Sequence, residues 1–133
     1  MTVSASGANA GFVNLYYVDI WASDCSFIDG NDTGDVFYYY VCMKELQSNI
    51  TFMQRGSAQP HVYPDDLDRL EIPDLAPELV SYINKKLSSV FNTIGNLKRK
   101  NEILRKTRDL LLPRLISGDI DVSDIDVPVS DAN

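Results

Sequence analysis

Gln54, Arg55, Ser57, Gln59 and His61 stand within eight residues of one another, around Gly56 and Pro60. Each of the five side chains can donate a hydrogen bond, and Arg and Gln can do so in pairs, the geometry that suits phosphate oxygens and base edges. The chemistry on offer is recognition rather than bond making. His61 is the single histidine of the chain, so a catalytic triad would rest on it alone, and no G-x-S-x-G elbow supplies a nucleophile. A G-x-x-x-x-G-K-[ST] phosphate loop and a G-x-G-x-x-G turn are also missing. Asp65 and Asp66 follow Pro64, where adjacent acids complement the dipole of a first helical turn rather than hold a metal. An architectural reading of the same loop stays open: Gly56 admits an unusual backbone angle and Pro60 fixes the next turn.

A second set of donors, Lys98 and Lys100, belongs to a longer pattern. From residue 77 to 116 the apolar residues keep a heptad step. Val80, Leu87, Ile94 and Leu115 fall on one seam position, and Ile83, Val90, Leu97, Leu104 and Leu111 on the other, with Asn101 and Arg108 as polar intruders. A helix of this length reaches roughly 60 Å at 1.5 Å per residue, beyond the span of a small domain, so much of its seam must meet a partner outside its own globule. Pro77 suits a first turn, Gly95 falls on an outward position, Pro113 predicts a kink or break, and Gly118 is the natural stop.

The net charge of −7 conceals a polarity along the chain. Residues 85–114 hold nine basic side chains against Glu102 and Asp109, so everything else is strongly acidic. One face can therefore meet phosphate or an acidic partner. With 133 residues and 44% apolar content, one modest core is expected, before Pro73. Cys25 and Cys42 lack metal or redox spacing and read as free thiols. No basic leader with an apolar run follows Met1, which points to a cytoplasmic protein without a membrane segment.

Before the helix, residues 1–10 read as a loose end. Residues 11–21 read as a strand with Phe12, Leu15, Tyr17 and Trp21 inward, and 24–28 as a second strand. The Asp/Gly/Asn cluster at 29–34 is a loop. Residues 35–50 read as helix, 49–54 as a strand, 64–70 as a short helix and 70–72 as a closing strand.

Gly56-Ser-Ala-Gln-Pro-His-Val62, then Asp66-Leu67 and Leu70-Glu-Ile-Pro73, then a heptad helix ending in Arg108-Asp-Leu-Leu-Leu-Pro-Arg-Leu-Ile-Ser-Gly118-Asp-Ile, resemble the specificity subunit of type I restriction-modification systems. The resemblance runs from about Gly11 to Ile120 and is that of a C-terminal fragment, with one long helix where the family has two. It implies an α+β fold: a partial target recognition domain over 1–73, a coiled-coil-forming helix over 74–118 and an acidic flexible tail over 119–133. It implies a non-catalytic subunit with no cofactor, whose partners are double-stranded DNA and a modification (methyltransferase) subunit. A further partner would be a second specificity helix or another copy of the chain, paired antiparallel. The DNA contacts would fall to Gln54, Arg55, Ser57, Gln59, His61, Lys98 and Lys100, and the pairing to the seam. A helix adaptor that pairs with a full-length specificity subunit without binding DNA is the alternative.

Overall fold

Thr2–Ser4 forms β1, the middle strand of a three-stranded antiparallel sheet ordered β2-β1-β3, with β2 at Val13–Asn14 and β3 at Cys25–Phe27. Val3 lies opposite both Val13 and Ser26. The computed structural model describes residues 1–56 and 58–123. Ser57 and residues 124–133, which include most of the expected acidic tail, lie outside the described residues. The chain divides into two units, Met1–Thr93 and Ile94–Asn133.

The N-terminal residues are thus the centre of the sheet and not a loose end. In residues 11–21 only Val13 and Asn14 pair, and the inward side chain is Val13, which is buried, rather than Phe12. A shift of one residue reverses every side chain of a strand. Phe12 lies instead under the Lys44 ammonium, 4.3 Å from its ring centre, and Trp21 is 92% exposed.

Helix α1 spans Val36–Glu45 and α2 spans Gln47–Phe52. Residues 49–54 are therefore largely helical rather than a strand. The helical period prevails there because Met43, Leu46 and Ile50 form one stripe on the core. Gln47 then ties α2 to the sheet: its amide donates to the Gly11 carbonyl at 2.9 Å, and its oxygen accepts the Val13 N–H at 3.0 Å. Val3, Ala10, Val13, Ile50 and Val62 make the buried cluster, covered by Tyr40, Met43, Leu46, Leu67 and Leu70. Leu70 joins this core, but residues 70–72 pair with no strand among the described residues. The short helix after Pro64 is present as α3, Pro64–Leu67.

Helix α4 spans Pro77–Ile116, within the 74–118 read as a helix from the sequence. It passes through Pro113 without a break, and the Ser117 N–H bonds to the Pro113 carbonyl at 2.9 Å. Gly118, at φ +78°, ends it. Gly95, read as outward, is buried.

Within the first unit α4 docks through a shared cap. The N-cap residue of α1, Asp35, makes no side-chain cap bond. Asn84 on α4 does that work, its oxygen accepting the N–H groups of Phe37 and Tyr38 at 3.1 Å each while its amide donates to the Gly34 carbonyl at 3.0 Å. Phe91 stacks on Phe37 at 5.3 Å and meets the ring of Tyr40 edge-on at 5.4 Å. The Tyr38 hydroxyl donates to the Pro73 carbonyl at 3.0 Å, and burial beside the Cys42 thiol raises the phenol's pKa.

Candidate nucleic-acid interface

Arg55 and His61 face each other across the loop, exchanging backbone N–H to carbonyl bonds of 2.8 Å in both directions. The Pro60 carbonyl accepts the Gly7 N–H at 3.0 Å, and the Val62 N–H reaches the Ala5 carbonyl at 2.8 Å, so the loop is fixed to the sheet side of the domain. Gly56 sits at φ +94°, and a Cβ there would come within 2.7 Å of the Gln59 carbonyl oxygen. Only glycine fits that turn.

The pinned loop and α3 enclose a cleft of about 470 Å³ lined by Arg55, Gly56, Gln59, His61, Tyr63, Pro64, Asp65, Asp66 and Arg69. The Arg55 guanidinium donates to the carboxylate of Asp66, which is buried, and Arg69 lies 3.9 Å from the same oxygen. Tyr63 links the remaining groups: the His61 ring stacks on it at 5.9 Å, and the Arg55 guanidinium stands 5.8 Å above its centre. The mouth thus sets two guanidinium groups, an imidazole and an amide beside an aromatic face, with the carboxylates of Asp65 and Asp66 balancing the two arginines; donors of these types suit phosphate and base contacts. Among the described residues, no group of three or more His, Cys, Asp or Glu is placed to hold a metal ion.

Arg55, Gln59 and His61 are therefore brought together, but Gln54 is not with them. Its amide donates to the Ala10 carbonyl at 2.8 Å, a bond that fixes the domain's own backbone. Ser57 lies outside the described residues. Cys25 and Cys42 are free and half-buried.

The second unit contains Lys98 and Lys100, both exposed on α4. Along the helix, Val80, Ile83, Leu87 and Ile94 are half-buried, whereas Val90, Leu97, Asn101, Leu104, Arg108, Leu111 and Leu115 are exposed. Leu104 keeps 65% of its surface open. Glu102 and Lys106 pair one turn apart at 2.7 Å, which holds the Glu102 carboxyl below its usual range, and Arg108 turns to Asp109 at 2.7 Å. An apolar, basic helix face with this exposure can pair with another helix and approach phosphate.

The chain is similar to a segment of type I restriction enzyme specificity subunits. It is 23% identical over 99 residues to the MjaIX specificity subunit of Methanocaldococcus jannaschii, a match covering 74% of this chain and 23% of that protein. It is 27% identical over 112 residues to the MjaVIII specificity subunit of the same organism, covering 84% of this chain and 26% of that one. The chain thus spans about a quarter of the length of the curated relatives it matches. No protein-family model matches it, and no solved structure does. The likeness read from the motifs thus extends to specificity subunits across most of the chain.

Three residues of the cleft escape a sequence reading. Tyr63, Arg69 and the buried carboxylate of Asp66 gain their roles from the loop's closure, and nothing local marks them. Asp66 reads as a dipole partner from its place in α3, whereas its charge is met by Arg55, eleven residues away. Among the described residues, no helix is long and apolar enough to cross a membrane.

Proposed function

We propose that the chain is a non-catalytic, cytoplasmic piece of a type I restriction-modification specificity assembly, working without a cofactor. In this reading the Met1–Thr93 unit is part of a target recognition domain, and α4 docks the chain onto a second specificity helix and a modification subunit. The observation that carries it is the exposed seam of α4 from Leu97 to Leu115, apolar on one side and flanked by basic residues. The cleft residues Arg55, Gln59 and His61, with Lys98 and Lys100, are the proposed DNA contacts, and the similarity to specificity subunits supports that assignment.

A partial recognition domain with an acidic remainder should hold duplex DNA weakly and without sequence preference. Electrophoretic titration of the isolated chain should show binding that collapses between about 50 and 200 mM salt, as contacts made mainly to phosphate do. Tight, salt-tolerant selection of one oligonucleotide from a random pool contradicts the assignment.

Without a better-matched helix, α4 should pair with a second copy antiparallel, setting Ile94 against Leu104 and Leu97 against Asn101. Lys98 or Lys100 then meets its own copy, and exposed repulsion of this kind is screened over about 10 Å at 0.1 M salt while the apolar seam is not weakened. The dimer should tighten as salt rises. In a chain with Cys25→Ala and Cys42→Ala, the pair Ile94→Cys and Leu104→Cys should crosslink 94 to 104. Dissociation on adding salt, or Leu104→Cys alone bonding to its own copy, rejects this pairing.

A further inference from the structure

We propose that a cleft in the first unit, distinct from the DNA-facing loop, docks a basic amphipathic helix of a partner protein. It lies between the connection from β2 to β3 and the end of β3, and has a volume of about 480 Å³. Tyr16, Val18, Ile20 and Phe27 supply its apolar walls, and Asp19 and Asp29 its carboxylates. Val18 is 65% exposed and Phe27 56%. Trp21, the one tryptophan of the chain, stands out between the lining residues Ile20 and Ala22. Large apolar side chains gathered this openly on one surface mark a place where another protein packs.

The charge around the cleft selects the partner. Asp19 and Asp29 line the cleft, and none of the residues lining it is Lys, Arg or His. Asp29 is held ionised by the Asn31 backbone N–H at 2.7 Å, and Asp32 accepts the Asp29 N–H at 2.9 Å beside it. The one cation lining the cleft is the Met1 ammonium, which is bonded to the Ile28 carbonyl at 2.7 Å. Phosphate is repelled from such a surface. A helix with an apolar stripe and lysine or arginine flanks satisfies both the walls and the rim, with the aspartates steering its approach.

The test uses the intact chain and a synthetic helix of alternating leucine and lysine faces, which the basic α4 repels, with a leucine and glutamate helix as control. Binding should be saturable, move Trp21 emission to the blue, and weaken roughly tenfold with Asp19→Lys, the size of a few exposed ion pairs lost together. Val18→Ser should weaken it as well, and both residues sit in an exposed connection where neither change disturbs the core, which circular dichroism checks. An equal Trp21 blue shift with the glutamate helix, an unchanged Trp21 response in both variants, or a Trp21 shift produced by duplex DNA overturns the proposal. A blue shift that grows with protein concentration alone assigns the cleft to a second copy and overturns it too.

Discussion

Leu97→Ala and Leu104→Ala should each weaken helix-mediated assembly by about 2 to 5 kcal/mol, the cost of removing a leucine that becomes fully buried. Both are more than half exposed in the chain itself. The same substitutions should therefore leave the stability of the unpartnered chain nearly unchanged, and the loss should appear only in sedimentation or titration of the assembled form. His61→Ala is the counterpart: its ring rests on Tyr63 in the other unit, and partner binding should not move. If the histidine change abolishes assembly and the leucine changes do not, the seam has been assigned wrongly.

Ile50→Ala should be the most damaging single change within the first unit. Ile50 has no exposed surface and belongs, among the described residues, to a buried cluster of five apolar side chains. Leucine- or isoleucine-to-alanine truncation in such a place costs about 2 to 5 kcal/mol, against the roughly 5 to 15 kcal/mol that holds a whole domain folded. A urea titration followed by circular dichroism should show a much lower midpoint, whereas Phe52→Ala, two residues on and 92% exposed, should leave it in place. Equal effects of the two changes would show that the core does not lie where α2 meets the sheet.

Helix α4 was legible because its signal is local. A heptad step, a proline in the first turn and a glycine past the last one are all read without knowing the partner, and they put a helix within 74–118, where α4 spans Pro77–Ile116. Strand β1 was not legible, because Thr2–Ser4 carries one branched apolar residue and its strand character comes from neighbours at residues 13–14 and 25–27. The stretch after Gly11 failed for a related reason. Its alternation is real, yet register is chosen by the core, and Val13 displaces the larger Phe12.

The candidate site divides in the same way. The loop from Gly56 to Pro60 announces itself by its turn residues, so its place was readable. The Arg55 and Asp66 pair depends on closure between loop and α3, and Asn84 caps α1 from a helix that begins far along the chain. An asparagine in mid-helix carries no mark of such a task. Gln54 shows the converse, a side chain fit for recognition by type but engaged by the Ala10 carbonyl.

The central claim, that α4 places this chain in a specificity assembly, is tested most directly by co-purifying it with a modification subunit from the same organism. The two should leave a sizing column together, and the variant carrying both Leu97→Ala and Leu104→Ala should leave it alone. A parent chain that elutes by itself, or a double variant retained undiminished, would contradict the claim.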